Sequence, residues 1–584
     1  MKNIGFINTP IYNNDEGIFP PLGIISIATY IRDKKEKKVR VYDLALMLYS
    51  KEHRYEEAIN ETVEAIKKDK IELLGINCQN FSLAAAILLA KEVKEACPMI
   101  PIFLGGVGTH GLAEILLEKF GFIEYIVMGE GEQTVCDLID ALENKNLMEV
   151  KGVFFRKNCK IVYNGNHALI EDLKSVPMPD FSLIKNVERY FTLFSDSKRA
   201  LNVELARGCS GGCAFCGCFS FWCGRHRYFD IDKVFQQISF LVDKYRINHV
   251  YLSDDNFLSN REMVEVVCTE FKKRNLKITW DSRGRVNNMD PEILKKMHEA
   301  GCSEILIGIE SSDDEVLKKM NKRIHSDQQF NAVKNVMDAG IYPILSLILG
   351  YEGESEIGIN KTLLFLLKLY REEKPMVSYF HILTIVPGTR LYENKKKNIC
   401  TKAIDDTLNR LFYGDDCIPE EEKKLIREYP KLFSTFYYIP NDMKYSTLRT
   451  ISDLSTIVLR VFCFTLSALE LRDISIFSVF ASYSDKYPIF DGNEVSMVNQ
   501  FSNLIFENWG DDILIKNLLI HEMIIYKLSN SQGDMDIDME YDINIILCKK
   551  EIKEYMKVES GINKCKYRYR KNSEGIKMYS IDKS

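Results

Sequence analysis

The chain has 584 residues, 46% hydrophobic and 27% charged, with a formal net charge of -6. That composition supplies sizeable apolar cores and excludes global disorder, and the length calls for three or four domains. The negative balance excludes the basic field that general nucleic-acid binding needs.

The N-terminal stretch MKNIGFINTPIYNN has no charged leader followed by an apolar core and a cleavage site, so a cytoplasmic protein is expected. Residues 1–150 then alternate short β-branched runs with helical patterns: NIGFINTP, LGIISIATYIRD, VRVYDL, YEEAINETVEAIKKD, IELLGIN, SLAAAILLAKEVKEA, PIFLGGVG, LAEILLEKFG and EYIVMGEG. This rhythm predicts an α/β, doubly wound parallel sheet, Rossmann-like, with helices on both faces. Ligands on such sheets sit at the carboxyl ends of the strands. Here those ends carry Gln79 to Ser82, Gly105 to Gly108 and Gly129 to Glu132. A dinucleotide site would want Gly-x-Gly-x-x-Gly after the first strand; NTPIYNNDEG stands there instead.

Residues 151–198 read as a connector, a hairpin (GVFFRKNCKIVYNG) followed by the proline-bearing LKSVPMPDFSLI. A second alternation fills 199–395, with strands near LNVEL, HVYLSD, KITWDS, EILIGIES, YPILSLILG and VSYFHILTIVPG. Six strand and helix pairs predict a partial, TIM-like barrel, since a complete eight-fold barrel needs ~250 residues. Residues 396–584 read as a mainly helical accessory domain, ending in a β-like DINIILCKK and a polar, basic tail. Its most apolar segment, STIVLRVFCFTLSALEL, is cut by Arg460 and Glu470, short of the ~20 apolar residues of a spanning helix, so no membrane insertion is expected.

The chain has sixteen cysteines, and a protein of this size in a reducing compartment needs no disulfide framework. Four of them crowd into ARGCSGGCAFCGC, residues 206–218. Cys209, Cys213 and Cys216 follow a predicted strand in a glycine-rich loop, which lets thiolates converge on a metal cluster. A structural zinc would want a fourth ligand, which Cys218 or Cys223 could supply.

This triplet, with Phe215 before its third cysteine, at the top of a six-fold strand and helix repeat, resembles the radical S-adenosylmethionine superfamily. The resemblance implies that Cys209, Cys213 and Cys216 bind a [4Fe-4S] cluster whose fourth iron takes the amino and carboxylate groups of S-adenosylmethionine, and that reductive cleavage yields a 5′-deoxyadenosyl radical. It implies an electron donor such as flavodoxin or ferredoxin. In YLSDDNF it makes Ser253, Asp254 and Asp255 candidate acceptors for the methionine ammonium, and in DSRGRV it offers Arg283 and Arg285 for the methionine carboxylate. Glu310 and Ser311 of IGIES fall where the family contacts the ribose or amino-acid part, and Gly350 and Val386 where the adenine is flanked.

PPLGIISIATYIRD, FLGGVGTHG and VMGEGEQTVCDLIDAL make the first domain similar to the cobalamin-binding module of cobalamin-dependent radical enzymes. The resemblance implies contacts to cobalamin from Gln79, Asn80, Ser82, Gly105, Gly106, Val107, Thr109, Gly129 and Glu130. None of the nine histidines lies in an Asp-x-His-x-x-Gly motif, so no side chain is expected on the lower face of cobalt, and His110 is expected to hydrogen-bond. Together the two modules imply a C-methyltransferase acting on an unactivated carbon of a peptide or small-molecule substrate. The alternatives are a radical cyclase or rearrangement enzyme and, outside catalysis, a metal-binding protein.

Overall fold

The computed structural model describes residues 1–10, 18–49, 55–192, 198–372, 374–400, 418–439, 441–488, 493–530, 534–539, 565–572 and 575–580. The first sheet is built from β1 (Asn3–Asn8), β2 (Lys38–Asp43), β3 (Leu73–Asn77), β4 (Ile102–Gly105) and β5 (Tyr125–Val127), all parallel, followed by antiparallel β6 (Val153–Lys157) and β7 (Lys160–Tyr163). The order β2-β1-β3-β4-β5-β6-β7 reverses direction at β1 and β3, and the crevice of such a sheet opens there.

The hairpin assigned above to the connector is thus the edge of this sheet, which continues past residue 150. Val153 and Phe155 bury one face of that hairpin, and Arg156 donates to the carbonyls of Leu117, Phe120 and Ile123. The rest of the connector is packed as well. Phe181, Val187, Tyr190 and Phe191 lie in the main core, and the Tyr190 hydroxyl reaches Asp43 at the end of β2 (2.5 Å).

β8 (Ala200–Glu204) opens the second unit. The two-residue β9 (Ala206–Arg207) and β10 (Arg227–Tyr228) pair antiparallel and close the cysteine loop between them. β11 (His249–Ser253), β12 (Thr279–Arg285), β13 (Cys302–Glu310), β14 (Tyr342–Leu349) and β15 (Val377–Ile382) complete a parallel sheet of order β8-β11-β12-β13-β14-β15. Its ends do not pair, so the barrel is partial.

Helices whose amphipathic faces bury Val264, Phe271, Ile293 and Val333 cover the outer face. Trp280 is buried there, stacked on Phe271 at 5.2 Å, its indole N–H donating to the Ala300 carbonyl at 2.9 Å. A buried aromatic of this kind contributes both area and a satisfied polar handle.

The helix Tyr445–Val461 covers the open edge: Ser452 Oγ donates to the Phe380 carbonyl (2.8 Å) and Thr456 to that of Ser378. This satisfies carbonyls on the outer side of β15 that no strand pairs. The bundle continues through Cys463–Glu470, Ile476–Lys486, Glu494–Trp509 and Ile513–Ser529.

Beyond the bundle, within the region read above as mainly helical, β16 (Asp534–Met539), β17 (Cys565–Asn572) and β18 (Gly575–Ser580) form an antiparallel sheet, the last two in the basic tail. The DINIILCKK segment lies outside the described residues. Among the described residues no single helix is long and apolar enough to cross a membrane; Tyr445–Val461 and Cys463–Glu470 reach that hydropathy only as a pair bent by 99°.

Candidate active site between barrel and crevice

The cysteine loop leaves β9 through Gly208, whose φ is +97° and where a Cβ would stand 1.9 Å from the Arg225 carbonyl oxygen, so only glycine fits. Neighbouring elements then pin the loop. Ala214 N donates to Met320 O (2.9 Å), Asn321 Nδ2 to Gly212 O (2.7 Å) and Leu391 N to Ala214 O (3.1 Å). Arg285 donates to Cys213 Sγ at 3.2 Å, and Gly211 N to Cys209 Sγ at 3.3 Å.

Burial pushes the Cys209 thiol up and that of Cys216 up to about 11, so bound cations are what would hold these sulfurs as thiolates. Cys218 donates instead to Asp255 (3.0 Å), and Cys223 is exposed; neither joins the triplet. Among the described residues no three Cys, His, Asp or Glu side chains close on a single metal ion. An iron-sulfur cube places each thiolate on its own iron and asks for wider separation. Three thiols on one pinned loop, with an arginine donor at a sulfur, fit such a group. Phe215 packs into the apolar cluster beneath the loop.

At the end of β11, Asp254 is buried while Asp255 is exposed. Asp254 Oδ1 accepts from His226 Nε2 and from Asn256 N, each at 2.9 Å; its Oδ2 and the Asn256 Oδ1 are buried with no partner. Two orphaned acceptors suit a cationic donor such as a methionine ammonium. Ser253 contributes its carbonyl to Leu205 N.

Glu310 ends β13 in the left-handed region (φ +65°) and pairs with buried Lys322 at 2.5 Å. Strain of this kind persists where the surroundings impose it. Ser311 Oγ lies 3.5 Å from Glu354, whose carboxyl burial pushes up to about 8 and whose other oxygen accepts from Gly350 N (2.7 Å). Val386 approaches Gly217, just past the third cysteine. Arg283 and Arg285 separate: Arg285 belongs to the cysteine loop, and Arg283 lies two residues deeper along β12.

The crevice of the first sheet forms a cleft of about 870 Å³, solvent-open space included. Of the residues named above for cobalamin, Gln79, Gly105, Gly106, Val107, Gly129 and Glu130 line this cleft; Asn80, Ser82 and Thr109 do not. The Ser82 hydroxyl accepts from Thr9 and from Gln79 N, and Thr109 bonds Gly106 O, so both shape their loops instead. Gly129, at φ +71°, has open space where a Cβ would stand, a cradle of the kind a bulky flat cofactor fills. His110 departs from expectation. Among the described residues its ring makes no hydrogen bond; it meets Phe221 edge-on (5.7 Å) and packs against Gly388, and burial lowers its pKa.

Sequence reading missed the wall that the barrel contributes. The helix Gly217–Phe221 starts beside Cys216 and delivers Phe221 and Trp222 to the cleft. Arg207 reaches Glu130 (2.9 Å), Glu132 (2.7 Å) and Glu204 (2.9 Å), and Arg227 takes the other oxygen of Glu130 (2.9 Å). Both carboxylate oxygens of Glu130 are therefore engaged by the barrel.

Fold and site together define a protein in which a radical S-adenosylmethionine barrel faces a cobalamin crevice. Residues 203–366 match the radical SAM superfamily and residues 9–139 the B12 binding domain. An uncharacterized methyltransferase of Pyrococcus horikoshii is 26% identical over 426 residues, 72% of this chain and 88% of that protein. The anaerobic magnesium-protoporphyrin IX monomethyl ester cyclase of Rubrivivax gelatinosus is 27% identical over 65% of this chain and 66% of its own. The cobalamin-dependent S-adenosylmethionine radical enzyme OxsB shares the fold at a TM-score of 0.62 and 17% identity, covering 96% of this chain and 83% of that one. The chain belongs to the cobalamin-dependent radical S-adenosylmethionine enzymes.

Proposed function

We propose that the protein is a C-methyltransferase acting on an unactivated carbon of a small molecule or peptide. One observation carries this reading: the cysteine loop and the cobalamin crevice share a wall, because the helix Gly217–Phe221 runs from one to the other. Bound there, a [4Fe-4S] cluster on Cys209, Cys213 and Cys216 supplies an electron to S-adenosylmethionine and cobalamin supplies the methyl group. Arg285, donating to the Cys213 sulfur, orients that ligand and offsets thiolate charge. Asp254, oriented by His226, holds an oxygen ready for the methionine ammonium. Phe221 and Trp222 exclude water from the passage between the two sites. An external reductant of the flavodoxin or ferredoxin kind delivers the electron.

The methyltransferase relative supports methyl transfer, and the cyclase relative favours a second reading in which no methyl group moves. The protein reconstituted anaerobically with iron, sulfide and cobalamin should convert S-adenosylmethionine to 5′-deoxyadenosine. With a trideuterated methyl donor, label should enter the product. Unlabelled product would establish the cyclase reading, and full turnover by the triple alanine variant of Cys209, Cys213 and Cys216 would remove both.

A further inference from the structure

The inner face of the barrel carries groups that the cofactor sites leave unused. On β12, Trp280 packs outward, and a Cβ on Gly284 would meet Met289 at 2.9 Å and Leu258 at 3.2 Å. Alternation along the strand therefore turns Asp281, Arg283 and Arg285 into the lumen. On β13, Ile305, Ile307 and Ile309 are fully buried in the outer core, which leaves Glu304, Leu306 and Gly308 facing in.

The strand register sorts these side chains into layers. Tyr251, Asp281, Glu304 and Tyr342 form the floor; Arg283, Leu306 and Ile344 form the next layer; Arg285, Gly308, Ser346 and Tyr379 lie at the cysteine end. Successive layers are two residues, about 7 Å, apart.

The floor is closed and internally paired. Lys198 crosses to Glu304 at 2.9 Å and lies 5.0 Å over the Tyr251 ring, and Phe19 stands edge-on to Tyr251 at 4.8 Å. Asp281 accepts from Leu252 N at 2.9 Å. Above the floor the lining is open: Leu306, on an interior strand, is 36% exposed, and Tyr379, on the edge strand β15, is 40% exposed. Arg283 is exposed beside Leu306, its register partner, and among the described residues its guanidinium makes no hydrogen bond or close ion pair, though it lies near enough to the Asp281 carboxylate of the floor to favour that group's charged form. An exposed planar cation whose own hydrogen-bond donors are unused, with the apolar Leu306 beside it and Asp281 only at a distance, matches a carboxylate in a bidentate arrangement.

We propose that the lumen binds a substrate with an apolar body and a carboxylate, the carboxylate received by Arg283 and the body lying along Leu306, Ile344 and Tyr379 toward the cysteine end. This rests on the proposed function only for the reaction performed there; the binding itself is independent of it. Arg283 then serves as a specificity residue for the substrate, while Arg285, one layer above, serves the cysteine loop.

The test uses the full chain and three probes of one shape: 2-naphthylacetate, its neutral amide and 2-naphthylethylamine, followed by naphthyl fluorescence. The acid should bind at least about tenfold more tightly than the amide and the amine. Arg283→Gln should abolish that preference while leaving amide and S-adenosylmethionine binding in place. Leu306→Glu, which sets a competing carboxylate at the register partner of Arg283, should do the same and covers the case in which the first variant fails to fold. Equal binding of acid and amide, or no saturable binding of the acid, would overturn the proposal. So would a tenfold loss of S-adenosylmethionine affinity in Arg283→Gln, which would return the residue to the cofactor. Formation of 5′-deoxyadenosine by the reconstituted variants reports on the proposed function separately.

Discussion

Lys322 shows how one side chain can set the shape of a cofactor site. Its ammonium, 4% exposed with the rest of the residue, is the ion partner of Glu310, while its carbonyl receives Arg285 and the adjoining Asn321 holds Gly212. Lys322→Met would leave the Glu310 carboxylate buried without its partner, a change that costs about 3–5 kcal/mol. Chemical denaturation should show that loss, and calorimetric titration should show weaker S-adenosylmethionine binding. Lys322→Arg, which keeps the charge, should restore part of both.

At this scale the cysteines were legible because all three ligands fall within eight residues of chain. Lys322 and His226 were not. Each acquires its role from a partner at the end of another element, Glu310 at the end of β13 or Asp254 just past β11, and no spacing records that meeting.

Among the elements, helix starts are written plainly. Asp230, Asp290, Asp313, Ser355 and Asp512 each accept a backbone N–H of the helix that follows. The helix Cys463–Glu470 has no such residue before it. Glu522, from the helix Ile513–Ser529, supplies the acceptor from outside, taking Phe464 N at 2.7 Å and Thr465 N at 3.2 Å. A cap delivered through space has no local signature.

Burial pushes the Glu522 carboxyl up to about 8 from an ordinary value of 4.5. The native state therefore keeps a proton that the unfolded chain has already released. The associated stability is complete below the unfolded value and falls as pH rises toward about 8. Glu354 acts in the same direction over the same window. Thermal unfolding followed by circular dichroism should give a lower midpoint at about pH 9 than at about pH 6, and Glu522→Gln, which keeps a carbonyl acceptor, should narrow that difference. A wild-type midpoint that rose with pH would contradict this.

Across the molecule, what joins crevice to barrel is a buried ion network and a shared apolar core. Arg207 and Arg227 stand against Glu130, Glu132 and Glu204, with the Trp222 ring 5.9 Å and 5.5 Å from the two guanidinium carbons. Burial would raise the Glu132 carboxyl, yet Arg207 and Ser26 hold it below its ordinary value; Glu204 is pushed up by burial in spite of Arg207. Ile76, Leu83 and Leu112 of the first domain share a core with Ile385, Leu391 and Phe433 of the barrel's extension.

Arg207→Met would strand Glu132 and Glu204 at this interface and leave Glu130 to Arg227 alone, at a cost of about 3–5 kcal/mol. Because the network also walls the crevice, the variant should retain less cobalamin after desalting, read from its visible spectrum, and should be cut faster by protease. Unchanged retention would mean that the network holds the domains together without shaping the cleft.

The sequence alone determined both parallel sheets, the partial barrel, the cysteine triplet and the glycine turns of the crevice, because each depends on residues within one strand, helix or loop. Tertiary structure decided which arginine serves the cysteine loop and which lines the lumen, which carboxylate is capped or paired, and how the hairpin after residue 150 extends the first sheet. Those outcomes depend on strand register and on which charges are buried together, and free energies of that kind exist only once the chain has brought distant residues into contact.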